Sequence, residues 1–401
     1  MLEFETALKR LLALVSAPVS ERVPLGSACG RVVTARISSS IHLPAFDNSA
    51  VDGYAVCTGD VSGARAGAPV RLHLCGRTAA GETFIGEVQR GLCVRLFTGS
   101  PVPRGADAVV MQENTRVMPS APDTVAVLAE AKPGENVRSR GEDVKPGTVL
   151  VEAGESLTAG RVSLLAAIGL THVSAGRQPV VGLLATGSEL QDAGQPLATG
   201  QIYESSRLAL AMLVARGGGI PRILPLVPDT LTATQGALAA AFKACDMVMT
   251  LGGVSVGEMD FAKTAFELLG GKLEFWRVAI RPGQPFACGR LGQKLWCGLP
   301  GNPVSAFVTF LLFGRPAITR WQGAAQVALP TSIGRLAGSL ANPGERRHFM
   351  RVKVDTAGNV HSAGLQGSHM LSSLAAANGL VDVPPQMTLS AGTAVPVIRW
   401  E

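Results

Sequence analysis

Three stretches decide the fold: Pro179-Val-Val-Gly-Leu-Leu-Ala-Thr-Gly-Ser-Glu189, Arg222-Ile-Leu-Pro-Leu-Val-Pro-Asp229, and Asp246-Met-Val-Met-Thr-Leu-Gly-Gly-Val-Ser-Val-Gly-Glu-Met-Asp260. Each is an apolar run followed by an acid. The intervening segments, Tyr203 to Arg216 and Thr232 to Ala244, read as helices, as do Phe261 to Leu269 and Pro303 to Thr319 beyond them. Short apolar strands alternating with helices predict a parallel sheet with crossovers. Ligands of such sheets bind at the shared C-terminal strand edge. Glu189, Asp229 and Asp260 are therefore expected to converge. Carboxylates brought together repel unless one is protonated or a cation lies between them. With glycine-rich turns beside them, Mg²⁺ and a phosphorylated ligand become a concrete hypothesis.

Outward from this block the pattern changes. From about Val70 to Ala131 short alternating strands are broken by glycine and proline: Val70 to Leu74, Gly91 to Thr98, Ala108 to Gln112 and Thr124 to Leu128. A helix is expected over Ala159 to Ile168, an opening helix over Met1 to Val15, and a strand near Arg31 to Arg36. Beyond Trp321 the chain turns strand-rich again, with Phe349 to Val354 and Val395 to Trp400. The 401 residues exceed one ordinary domain. The reading is a multi-domain α/β plus β protein. It has a linker domain (1–45 and 138–173), an inserted β-rich domain (46–137), a central α/β domain (174–322) and a C-terminal β domain (323–401), in an elongated molecule.

Composition narrows the function. Hydrophobic residues make up 47% and charged residues 16%, which supports large cores and argues against disorder. Aromatics are only 5%, too few for base-stacking surfaces, and no dense Lys/Arg block accompanies the net charge of +6. A mild positive excess fits a small anionic ligand as well as it fits nucleic acid; with aromatics scarce, no nucleic-acid partner is expected. The seven cysteines are scattered without a CxxC pair, which favours a reducing cytoplasm. The longest apolar run, Val304 to Gly314, is short of the roughly 20 residues that span a bilayer and reads as a buried helix. No membrane partner is expected.

Each motif has a plain structural reading beside the functional one. Leu251 to Asp260, with Gly252, Gly253, Ser255 and Gly257, joins a strand to a helix, and its backbone amides suit an anion as well as they suit a tight turn. Gly298-Leu-Pro300-Gly-Asn302-Pro303-Val-Ser305 is stiffer than capping requires; Pro303 suits the first helical turn and Asn302 the N-cap. Ala279-Ile-Arg281-Pro-Gly-Gln284-Pro285-Phe286 ends a strand with Arg281, with Arg277 expected on the same strand; forked guanidinium recognition of oxyanions is the functional reading. Arg346-Arg-His-Phe-Met-Arg351 reads as an exposed strand, and Leu208, Leu210 and Met212 read as core. None of the six histidines lies in the three acidic loops. Metal-assisted chemistry on a phosphate ester or anhydride is thus favoured over a histidine base.

Seven motifs in order resemble one family. They are Phe46 to Ala55, Thr98-Gly-Ser-Pro-Val-Pro103, Gly134 to Asp143, Thr186-Gly-Ser-Glu-Leu190, Gly252 to Asp260, Gly298 to Ser305, and Gly367-Ser-His-Met-Leu-Ser-Ser-Leu-Ala375. Together they are similar to the molybdopterin molybdenumtransferases, the bacterial MoeA family to which the gephyrin E domain also belongs. The resemblance implies insertion of molybdate into adenylylated molybdopterin with Mg²⁺-dependent release of AMP, in the cytoplasm. It also implies a three-layer α/β molybdopterin-binding domain and a homodimer whose site draws on the Asp52 and Thr98 loops of the second subunit. Molybdopterin adenylyltransferase is the implied upstream partner, and molybdoenzymes or their chaperones the downstream ones. Matched by motif, Asp52, Thr98, Asp143, Glu189, Asp229 and Asp260 take the functional positions, the last three with the metal. Arg281, Pro285, Ser305, Arg346 and Ser373 look like the molybdate region. The family pattern Lys-Pro-Gly-Lys-Pro is Arg281-Pro-Gly-Gln284-Pro285 here, so one cation is missing, and Arg277 or a C-terminal arginine is expected to compensate. Two other readings stay open: a non-catalytic molybdopterin-binding or scaffold protein of the same fold, and a paralogue handling tungstate or another nucleotide-pterin.

Overall fold

A computed structural model describes residues 1–254 and 261–400. The chain divides into two compact units. One comprises Met1–Ala35, Ala153–Ala159 and the chain from His172 onward; the other comprises Arg36–Glu152 and Gly160–Thr171.

The first unit is organised by a six-stranded sheet of β1 (Val180–Ala185), β2 (Ile220–Ile223), β3 (Met247–Leu251), β4 (Lys272–Trp276), β5 (Ala287–Leu291) and β6 (Lys294–Leu299). Their spatial order is β2-β1-β3-β6-β5-β4. The four strands β2, β1, β3 and β6 are parallel, as the sequence predicts. The remaining edge is antiparallel, a departure from the expected parallel sheet. Its cause is local: only Gly292 and Gln293 separate β5 from β6, and two residues close a hairpin but not a crossover.

Helices α1 (Ser206–Arg216), α2 (Leu231–Ala244) and α3 (Phe261–Leu268) form the crossovers, and α4 (Pro303–Thr309) and α5 (Arg315–Trp321) come after β6. The expected single helix Pro303 to Thr319 is two, joined by a π turn at Phe310–Gly314. Side chains alternate across the strands. Val181, Leu183, Met247, Met249, Leu295 and Cys297 join a core with α1, α4, α5 and the opening helix Phe4–Leu14. Leu184, Val248 and Trp296 face α2 and α3, where Phe266 stacks on Trp296 with ring centroids 4.5 Å apart. With both faces covered, the strands read as continuous apolar runs.

Helix α1 corrects one expectation. Leu210 is 1% exposed, but Leu208 is 52% and Met212 69% exposed. Residues i and i+4 share a helix face, so Leu208 and Met212 lie together opposite Leu210. The buried stripe is Ser206, Arg207, Leu210, Leu213 and Val214.

Six strands form the C-terminal sheet: Ile280–Arg281, Thr331–Leu336, Arg347–Val354, Asn359–Ser362, Gly379–Val383 and Ala394–Arg399. Gly379–Val383 pairs with both Ala394–Arg399 and Arg347–Val354, which closes five strands into a barrel around Leu336, Met350, Val352, Val381 and Val397. This overturns the exposed-strand reading of 346–351. Strands on both sides of Arg347–Val354 bury His348 (2% exposed) and Arg351 (0%). Ser20–Pro24 pairs with His172–Gly176, while Val32 and Val33 make only isolated bridges where a strand is expected.

The second unit holds a six-stranded β sheet in the order Ala108–Met111, Gly53–Val56, Leu92–Leu96, Arg65–Thr78, Ala121–Ala129, Thr115–Met118. Its core is Tyr54, Val56, Leu72, Cys93, Val110, Val125 and Val127. The strand expected over Val70 to Leu74 is longer than its local pattern, running for 14 residues. Among the described residues no helix is long and apolar enough to cross a membrane.

Candidate functional site

A cleft of about 720 Å³ opens at the C-terminal edge of the parallel strands. Its walls are the loops leaving those strands: Thr186 and Glu189 after β1, Asp229 after β2, Gly252 and Gly253 after β3, and Pro300 to Pro303 after β6. The β1 and β2 loops are tied together. Thr186 bridges to Val227, Ser188 N–H donates to Asp229 Oδ2 at 3.1 Å, and Asp229 N–H donates to Ser188 Oγ at 3.0 Å. Two of the three predicted carboxylates, Glu189 and Asp229, thus line one cleft. Asp260, Ser255 and Gly257 lie outside the described residues.

The glycines are sterically required. Gly252 and Gly253 have φ of +86° and +69°, and a Cβ on Gly253 would lie 2.9 Å from that of Ala262. Pro285, Pro300 and Pro303 also line the cleft. Asn302 holds the N-cap position of α4 without a side-chain capping bond. The Thr186 hydroxyl is buried and, among the described residues, has no hydrogen-bond partner.

The sequence reading missed Glu204 and His369, which line the same cleft. The buried Glu204 carboxylate caps α1, accepting from Ser206 N–H at 2.6 Å and Arg207 N–H at 3.0 Å, and pairs with Arg207 Nε at 2.8 Å. Its Glu-x-x-Arg spacing is a readable signal of an i,i+3 pair. His369 sits inside the Gly367 to Ala375 motif but outside the three acidic loops, so a search of those loops for histidine passes it by.

Arg277, Arg281, Ser305, Arg346 and Ser373 do not line the cleft. Arg277 is not on the strand of Arg281 as expected: at φ +71° it leaves the extended region between Lys272–Trp276 and Ile280–Arg281, and it lies over the Trp276 ring at 4.2 Å. Arg281 pairs in register with His348. Arg346 Nη1 donates to Ile280 O at 3.1 Å and to Gln284 Oε1 at 2.8 Å, so Gln284, the departure from the family pattern, holds a guanidinium. Arg351, which the sequence reading passed over, donates through Nε to Ser373 Oγ at 3.0 Å and through Nη2 to Leu365 O and Gly367 O at 2.8 and 3.1 Å. Its Nη1 and both ring nitrogens of His348 are buried without partners among the described residues. Burial, followed by the charges of Arg281, Arg351 and Arg346, pushes His348 down to about 4. Ser305 and Ser373 are each 4% exposed, and Ser305 O accepts from Thr309 Oγ1 at 2.7 Å.

Asp52, Thr98 and Asp143 belong to the second unit. There Thr98 donates to Asp52 Oδ1 through its N–H at 2.8 Å and its hydroxyl at 2.9 Å, holding that carboxyl below the usual range. Asp143 N–H donates to Leu43 O at 3.1 Å.

The comparisons with known proteins cover nearly the whole chain. Residues 2–169 match the MoeA N-terminal region (domain I and II), 182–320 a probable molybdopterin binding domain, and 334–400 the MoeA C-terminal region (domain IV). The chain belongs to the MoeA family. As a MoeA-family chain it is a transferase enzyme of molybdenum cofactor biosynthesis. It is 37% identical to the molybdopterin molybdenumtransferase of Haemophilus influenzae, covering 99% of this chain and 98% of that one. It is 38% identical to molybdopterin molybdenumtransferase 2 of Mycobacterium tuberculosis, over 94% of each. The molybdopterin biosynthesis moeA protein of Pyrococcus horikoshii OT3 superposes over the full length of both chains with a TM-score of 0.86 at 31% identity. The MoeA fold therefore holds here: an α/β domain with β-rich domains and a C-terminal β domain.

Proposed function

We propose that the chain inserts molybdate into adenylylated molybdopterin and releases AMP, with Mg²⁺ as cofactor. The observation that carries this is the cleft at the strand edge, where Glu189 and Asp229 face glycine turns and a stiff Pro-Gly-Asn-Pro loop. The donor set fits the cation: two carboxylates and the Thr186 hydroxyl, which has no partner among the described residues, are hard oxygen donors, and Mg²⁺ commonly takes one or two carboxylates plus substrate phosphates. Glu189 and Asp229 would hold it, with Asp260 as third acid. Bound there, Mg²⁺ would neutralise charge on the pyrophosphate link.

The chain's own residues supply the rest. Gly252 and Gly253 let the backbone approach the phosphates closely. The Ser188–Asp229 bonds fix one acid, which limits reorganisation on binding. The Arg281, Arg346, Arg351, Ser305 and Ser373 region takes molybdate, with Gln284 orienting Arg346 in place of a second cation. Asp52, Thr98 and Asp143 act in the same reaction, and the chain works as a homodimer in the cytoplasm. A molybdopterin adenylyltransferase supplies the substrate, and molybdoenzymes or their chaperones collect the product.

The test is AMP release from adenylylated molybdopterin with Mg²⁺, with and without molybdate. Molybdate-dependent release supports the transferase. Tight nucleotide binding without release contradicts it and favours the scaffold reading.

A further inference from the structure

A second cavity, of about 220 Å³, lies at the other end of the central strands. Gln178 precedes β1 and Gly218 precedes β2, so the cavity sits at the N-terminal strand edge, opposite the cleft. Among the described residues three arginines line it, Arg31, Arg216 and Arg315, and no aspartate or glutamate does. We propose that this cavity binds a small tetrahedral oxyanion that carries a hydroxyl, of which hydrogen phosphate is the simplest.

Three observations converge. Arg315 is partly buried, and the one hydrogen bond of its guanidinium among the described residues is a long 3.5 Å contact from Nη1 to Val327 O. Among those residues no ion pair offsets its burial, which lowers its pKa without any opposing cause. A desolvated guanidinium without a counter-charge is costly, and an anion removes that cost. Arg31 is anchored by its Nη2 on Gly176 O at 2.7 Å and on Glu21, while its buried Nε has no partner among the described residues. The fixed fork therefore leaves a donor unspent. Finally, Gln322 is 1% exposed. Its Nε2 donates to Gly217 O at 3.0 Å and Ile318 O at 3.1 Å, but its Oε1 is buried without a partner among the described residues. Gly218, at φ +83°, packs its bare Cα against that amide; a Cβ there would lie 2.6 Å from Oε1.

The ligand must thus accept from guanidinium groups and donate to one amide oxygen. Hydrogen phosphate does both at neutral pH, whereas sulfate and molybdate are acceptors only. Buried groups left unpaired make such a site selective. Size agrees: 220 Å³ is roughly seven water volumes, below the usual range for drug-sized ligands. The inference does not depend on the proposed reaction.

Calorimetric titration of the full chain with inorganic phosphate, sulfate and molybdate tests it. Saturable phosphate binding, tighter than sulfate, is expected. Arg315→Gln should weaken phosphate about tenfold or more, equivalent to about 1.4 kcal/mol. Arg216→Gln, at an exposed position, should weaken it severalfold and serves if the first variant does not fold. Phosphate binding that survives in both pocket variants but is lost in Arg346→Gln belongs to the other anion region and overturns the site. Absence of saturable phosphate binding, or undiminished affinity in both pocket variants, overturns the site. Equal affinity for phosphate and sulfate overturns the part assigned to Gln322.

Discussion

The acidic cleft and the arginine cluster beside the C-terminal barrel treat charge in opposite ways. Glu189 and Asp229 stand on loops at strand ends, in reach of solvent, with Asp229 held by backbone and hydroxyl bonds. Arg351 and His348 are sealed inside, with Arg281 and Arg346 near them and polar atoms left unpaired among the described residues. Acids within reach of solvent, such as the exposed Glu189 and half-buried Asp229, stay hydrated at little cost. The buried Arg351 guanidinium, held by the Ser373 hydroxyl and two carbonyls but with no carboxylate among the described residues, is costly to keep charged until an anion arrives. In the proposed reaction the first region takes the cation and the second the oxyanion.

The largest effect that would sharpen this contrast is on turnover. Glu189→Gln and Asp229→Asn should each lower the rate of AMP release by roughly 10²- to 10³-fold, while thermal unfolding midpoints stay close to wild type. A large loss of stability would show that these acids are structural. In the arginine region the order reverses. Arg351→Met should destabilise by about 3 kcal/mol in denaturant titration, because Leu365 O, Gly367 O and Ser373 Oγ lose their donor inside the protein. A change under about 0.5 kcal/mol would break the comparison.

A pH effect comes next. His348 titrates at about 4 in the folded chain against an ordinary 6.5, so the unfolded state takes up its proton first as acid is added. Stability should fall as pH drops from about 6.5 to about 4, by up to about 3 kcal/mol, and His348→Leu should flatten that part of the profile. A bound oxyanion should oppose the fall. Smallest is the exposed face of α1: Met212→Gln should change stability by less than about 0.5 kcal/mol, whereas Leu210→Ala should cost about 2–4 kcal/mol.

How much the sequence discloses depends on range. The strand–helix alternation and the Glu189 and Asp229 loops are local, and parallel order alone sends both acids to one edge. Burial of His348 and Arg351 depends on Ile280–Arg281 and Gly379–Val383 flanking one strand, pairings that span 67 and about 30 residues and leave no local pattern. Leu208 and Met212 are misread when apolar character is weighed without the helical period. Arg346, by contrast, stands out in the sequence, but its partner Gln284 emerges only when the two loops meet.

The most direct measurement is a crossed titration: AMP release as a function of Mg²⁺ and of molybdate, in wild type, Asp229→Asn and Arg346→Gln. The account predicts that Asp229→Asn raises the Mg²⁺ requirement with little change for molybdate, and that Arg346→Gln does the reverse. If both variants shift both dependences equally, the two regions do not divide the cation and the oxyanion between them, and the account fails.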